Sequence, residues 1–199
     1  HVRDPKVFAC DGRYYMVLGA RTVEDRGEVL VWESTDKLRW THINTLTTPE
    51  PFGYMWECPD LFCLDGQWYL AVSPQGIDCQ NVYGCGWFAI HGDWRGDCTL
   101  SEFHELDAGF DYYAPQSFVD GNGRRIQIGW MGMPDEPTYG NAPTLVAGWQ
   151  HCMTVPRELT AGADGVVLQQ PAREIEHHYV SVSVGEGSLE VAGDTCFDV

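Results

Sequence analysis

The chain has 199 residues, a formal net charge of −17 and a sequence pI near 4.5. A surface so negative repels phosphate backbones and anionic lipid, which argues against nucleic acid and membrane surfaces as partners, and no run of 18 apolar residues is present to span a bilayer. With 44% hydrophobic and 21% charged residues the chain can bury an ordinary globular core, and 13% aromatics suit both β-strands and the apolar faces of sugar rings.

A repeat organises the chain. Asp4-Pro5-Lys6-Val7-Phe8 leads into Asp11-Gly12 and the strand-like run Tyr14-Tyr15-Met16-Val17-Leu18. Cys58-Pro59-Asp60-Leu61-Phe62 leads into Asp65-Gly66 and Trp68-Tyr69-Leu70-Ala71-Val72, and Ala114-Pro115-Gln116-Ser117-Phe118 into Asp120-Gly121 and Arg125 to Trp130. Asp-Gly between short β-rich runs predicts a hairpin, since Gly accepts the positive φ of the tight turn. Each Pro should hold the residue before it in an extended conformation.

The rest of each repeat reads as two more strands. These are Glu28 to Ser34 and Leu38 to Ile43 in the first, Gly86 to Ile90 and Ser101 to Leu106 in the second, and Trp149 to Val155 and Gly165 to Gln169 in the third. No long amphipathic helix interrupts them. The repeated Phe residues lie 54 and 56 residues apart, and four-stranded units at that period are the signature of propeller blades. A β-sandwich with accidental similarity is the alternative.

In a propeller the first strand of each blade runs beside the central channel. Asp4, Glu57 and the Asp111-Tyr112-Tyr113 group all lie just ahead of the repeated Pro, so they should converge at one mouth. Two carboxylates among Trp and Tyr suit glycoside cleavage, which needs a proton donor and an anion facing the oxocarbenium-like transition state. Glu57, in Trp56-Glu57-Cys58-Pro59, has apolar neighbours that disfavour a charged carboxylate, as a proton donor requires. Arg3 brings a guanidinium that can hold a nearby carboxylate, leaving Asp4 as the anion. From spacing alone, strand capping or simple pairing with Arg explains both acids equally well.

The eight Cys residues show no Cys-x-x-Cys pair and lie partly in apolar runs, so they read as free thiols and favour a reducing, cytoplasmic setting. The seven His residues show no metal-ligand spacing. The Glu24-Asp25-Arg26 stretch reads as a surface loop.

Arg3-Asp4-Pro5 and Glu57-Cys58-Pro59 resemble the paired signatures of glycoside hydrolase family 32, the β-fructofuranosidases. Phe110 to Phe118, Ile128 to Gly132 and Gly148 to Leu159 match further family segments in the same order. The resemblance implies an all-β protein, with a five-bladed propeller followed by a β-sandwich, and retaining hydrolysis of terminal fructosyl units in fructose-containing oligo- or polysaccharides. It implies no metal and no other cofactor. Glu57 matches the family's general acid/base and Asp4 its transition-state stabiliser. Arg3, Cys58, Tyr113 and Trp130 fall where the family places supporting or sugar-binding residues.

The family's nucleophile, an Asp in an Asn-Asp-Pro-type motif on the first blade, has no counterpart in the sequence. The expectation is therefore the last three blades over residues 1–169 (about 1–50, 51–109 and 110–169), a linker at 170–180 and the first strands of the sandwich at 181–199. Such a fragment would be inactive alone and prone to self-association through open blade edges. A related glycosidase of arabinosides or xylosides, or a sugar-binding propeller without catalysis, are the competing readings.

Overall fold

The computed structural model describes residues 1–79, 83–109, 111–132 and 142–178, and within them three antiparallel sheets. The first runs in the order β1 (Val2–Cys10), β2 (Arg13–Arg21), β3 (Gly27–Ser34), β4 (Thr41–Leu46). The second consists of β5 (Met55–Leu64), β6 (Gln67–Gln75), β7 (Gly86–Gly92) and β8 (Cys98–Leu100), with β9 (His104–Glu105) also paired to β7. The third is β10 (Tyr113–Val119), β11 (Arg125–Met131), β13 (Arg157–Ala161) and β14 (Val167–Pro171), with β12 (Cys152–Met153) pairing the end of β11. One five-residue α-helix, Ala142–Val146, is present among the described residues. The sandwich strands expected at 181–199 lie outside the described residues.

The first two Asp-Gly turns form as the sequence predicts. Cys10 pairs with Arg13 and Leu64 with Gln67, and both turn residues have positive φ (49° and 74°, then 49° and 86°). The third Asp-Gly turns differently. Here Asp120 accepts from the amides of Asn122 and Arg124, both at 2.9 Å, and the positive φ falls on Gly123. The strand expected from Leu38 begins instead at Thr41. Ser34 and Asp36 side chains cap the amides of Lys37, Leu38 and Arg39 at 2.8 Å and hold that stretch as a turn.

The sheets pack face to face along two seams. Strand periodicity sends alternate residues of the middle sheet to opposite sides, and both sides are covered. Leu61, Leu70, Val72, Phe88 and Trp94 join Tyr15, Val17, Val29, Val31 and Leu46 of the first sheet. Phe62, Tyr69, Ala71 and Trp87 join Tyr112, Leu159 and Val167 of the third. Each large side chain so buried stabilises the fold by about 1.5–3 kcal/mol.

Trp56 is fully buried in the first seam, stacked on Phe88 at 5.2 Å, with its indole N–H donated to the Phe52 carbonyl at 2.6 Å. Two glycines admit it. A Cβ on Gly19 would lie 2.1 Å from the Trp56 carbonyl oxygen, and one on Gly27 would lie 2.3 Å from the indole.

The first strand of every sheet carries the same irregularity. Register shifts fall between Arg3 and Lys6, between Glu57 and Asp60, and between Tyr113 and Gln116. In each, three steps along the first strand oppose two along its partner, which is a β-bulge. The extended conformation expected ahead of each Pro is not what forms: Asp4, Cys58 and Ala114 have φ of 55°, 49° and 49°. The bulge requires a left-handed residue there, and the Pro that follows lacks the N–H that an unbroken ladder would use. For Cys and Ala that conformation costs about 1–2 kcal/mol of strain each, which the surrounding packing must offset.

Candidate active site

The bulge turns the residue ahead of it toward the neighbouring sheets. Arg3, Glu57 and Tyr113 hold this position in β1, β5 and β10, and their side chains meet. Arg3 donates to one oxygen of Glu57 at 2.7 Å, and the Tyr113 hydroxyl donates to the other at 2.5 Å. The Glu57 side chain is 12% exposed and that of Arg3 44%, so the carboxylate is largely shielded and the guanidinium stands on its solvent-open side, the opening of the cluster. Burial, then the bond to Glu57, pushes the Tyr113 phenol far up from its ordinary value, so it serves as a proton-bearing donor.

The next residue along makes a second layer. The Asp4 carboxylate accepts from the Cys58 amide at 2.9 Å and lies 3.5 Å from its thiol. The Cys58 carbonyl in turn accepts from Gln116 at 2.9 Å. The strained peptide after Glu57 is thereby held from both neighbouring sheets. Burial, then the Asp4 charge, pushes the Cys58 thiol up to about 12. It is a weak donor here.

The structure brings together five of the six residues singled out from sequence: Arg3, Asp4, Glu57, Cys58 and Tyr113. Trp130 stands one ring further out, its indole 6.4 Å from the Tyr113 ring and edge-on to His151 at 5.1 Å. Two details differ from expectation. Trp56 turns away into the seam, and the Glu57 carboxylate faces two polar donors rather than an apolar wall. Arg3 holds Glu57 and not its neighbour Asp4, because the bulge separates their directions. Sequence reasoning misses Gln116 and the Lys6–Asp60 pair, although opposite charges at one repeat position are a readable signal.

Among the described residues no group of three or more His, Cys, Asp or Glu side chains is placed to hold a metal ion. A separate cavity bordered by Asp107, Arg157 and Gln169 includes neither carboxylate.

Antiparallel sheets whose first strands meet at like positions are the arrangement of a β-propeller, the fold of a class of glycoside hydrolases. The chain belongs to family 32 of these enzymes: residues 1–171 match the glycosyl hydrolases family 32 N-terminal domain. Over 187 residues it is 43% identical to sucrose-6-phosphate hydrolase of Bacillus subtilis strain 168, covering 88% of this chain and 39% of that protein. The Staphylococcus xylosus sucrose-6-phosphate hydrolase is 44% identical over 183 residues, covering 88% and 36%. Among solved structures, sucrose-6-phosphate hydrolase from Lactobacillus gasseri superposes with a TM-score of 0.79 at 34% identity, over 89% of this chain and 38% of that one. A Bombyx mori family 32 β-fructofuranosidase gives 0.77 at 31% identity, over 88% and 38%. The chain thus spans about two fifths of the length of these relatives.

Proposed function

We propose that the full-length protein hydrolyses the terminal β-D-fructofuranosyl unit of sucrose or sucrose 6-phosphate by a retaining double displacement. The observation that carries this reading is the pairing of Glu57 with Arg3 and Tyr113 directly beside the Asp4–Cys58 contact. It supports two distinct carboxylates at one opening. The names of the relatives point to the substrate.

In this mechanism Glu57 protonates the leaving oxygen of the glucosyl part and later removes a proton from the attacking water. Tyr113 and Arg3 steer its two oxygens throughout. Asp4, held by the Cys58 amide, faces the fructosyl ring, accepts its hydroxyl protons and offsets positive charge at the transition state. The attacking carboxylate comes from a part of the relatives' length that this chain does not span. Asp4 and Glu57 already have roles, and neither is free to attack.

The deciding experiment is release of glucose or glucose 6-phosphate, together with fructose, from sucrose and sucrose 6-phosphate by the purified full-length protein. Turnover of either supports the reading. Hydrolysis of neither, by protein shown to be folded, overturns it.

A further inference from the structure

The bulge that places Glu57 also places Asp60. Three steps along β5 match two along β6, so Glu57 and Asp60 lie on one face, one beyond the other, as Arg3 and Lys6 do on β1. Two ion pairs between sheets result, Arg3–Glu57 at the opening and Lys6–Asp60 below it. Their surroundings differ. Arg3 is 44% exposed, whereas the Lys6 side chain is 17% exposed and Asp60 has no exposed surface. The second oxygen of Asp60 accepts from the Ser117 amide at 2.6 Å, and Lys6 also donates to the Ser117 carbonyl at 2.7 Å. Three first strands, one from each sheet, are joined at a single height.

Burial lowers the Lys6 ammonium below its ordinary value, the Asp60 carboxylate works against that, and the Arg125 guanidinium adds to the lowering. Removing two charges from water costs about as much as their attraction returns, so the pair does little for stability as such. What it does is geometric. β1 and β5 belong to different sheets, so no ladder of backbone hydrogen bonds fixes the height of one against the other. The Arg3–Glu57 ion pair is partly exposed and screened by water, and of the two ion pairs between β1 and β5 the Lys6–Asp60 one is the better shielded from solvent.

We propose that Lys6 and Asp60 are positioning residues whose pairing sets β1 against β5 so that Asp4 and Glu57 face the same sugar. The inference rests on the hydrolase reading above.

The test uses the full-length protein and the double variant Lys6→Met/Asp60→Asn. The side-chain amide introduced by Asp60→Asn retains an acceptor for the Ser117 N–H, and removing both charges leaves neither partner of the pair as a lone ion, while Arg125 loses the nearby Asp60 charge. A displacement on the order of 1 Å between catalytic groups costs about 100-fold in rate. The expected result is kcat lower by ~30- to 100-fold with KM within ~3-fold of wild type, in protein whose circular dichroism shows it folded. Lys6→Arg retains the cation and should restore kcat to within ~5-fold of wild type. Wild-type-like kcat in the double variant overturns the proposal, and so does a loss that merely tracks the unfolded fraction. If the double variant does not fold, Asp60→Asn and Lys6→Arg decide: equal impairment of the two overturns it. A folded wild type that cleaves no fructoside refutes the hydrolase reading itself. An active wild type with insensitive variants refutes this inference alone.

Discussion

Arg3 and Glu57 occupy the same place in adjacent sheets, the last residue before the bulge in β1 and in β5, and their side chains meet at 2.7 Å. Tyr113 holds the same place in β10 and binds the other oxygen of Glu57. Repetition of one backbone device thus assembles an acid and its two donors from residues more than fifty positions apart. With both oxygens engaged, the carboxylate is fixed in orientation before any substrate arrives, and for the role proposed for Glu57 that orientation is the preorganisation the reaction needs.

Replacing Glu57 by Gln in the full-length protein should reduce kcat on sucrose by about 10²- to 10⁴-fold, the usual contribution of a general acid/base. The distinguishing measurement uses an aryl β-fructofuranoside. Its phenolate leaves without much protonation, so the first step should survive and the second, which needs a base, should not. A burst of phenol followed by slow turnover is expected. Equal loss on both substrates and no burst would show that Glu57 is not the proton donor.

Arg3→Ala and Tyr113→Phe both act through Glu57, so their effects should not add. Each alone is expected to lower kcat/KM by roughly 10-fold or more, and the double variant by clearly less than the product of the two. Independent, multiplicative losses would mean that one of the two residues works on the substrate directly.

Much of this site is legible in the sequence, and what is not has a definite cause. Asp4 and Glu57 emerge from the repeated Pro–Phe–Asp-Gly register because that register fixes which strand each begins. The bulge does not emerge. Aligning Pro5 with Pro59 pairs Asp4 with Cys58, and unbroken period-2 alternation then sends Arg3 and Lys6 to opposite faces, whereas the structure puts them on one. Nothing local announces a positive φ at Ala114, a residue poorly suited to it. The conformation is imposed by the packing of three sheets. The late start of β4 is similar, since Ser34 and Asp36 are ordinary strand-end residues until their side chains cap the turn.

The slot for Trp56 gives a stability prediction with an internal control. Gly27→Ala places a methyl 2.3 Å from the indole, whose own side chain is fully buried and has nowhere to retreat. Overpacking of this kind costs about 1–3 kcal/mol, visible as a melting temperature lower by several degrees. Gly121→Ala adds a methyl that meets nothing within 4 Å, at a residue without positive φ, and should be close to neutral. Since Trp56 directly precedes Glu57, Gly27→Ala should also lower kcat in molecules that remain folded. Equal melting temperatures for the two variants would refute the slot.

Cys58 provides a test in pH. Its thiol, ordinarily near 9, is pushed up to about 12 in the folded protein by burial and by the Asp4 carboxylate. Between those values the folded chain retains a proton that the unfolded chain has released, so the unfolded state binds fewer protons and stability falls as pH rises. The loss begins near pH 9 and levels off near 12. At pH ~10.5 it amounts to about 2 kcal/mol from this thiol. Other buried groups, Cys85 and Tyr112 among them, are also shifted upward and add to the alkaline loss. The informative quantity is therefore the difference between wild type and Cys58→Ala in urea midpoint at about pH 8 and about pH 10.5. Wild type should lose more stability over that interval. At the lower pH the same thiol should resist iodoacetamide in the folded protein, because almost none of it is thiolate. Parallel pH dependence in the two proteins, or rapid alkylation of Cys58, would mean that burial and the Asp4 carboxylate do not hold the thiol protonated in solution.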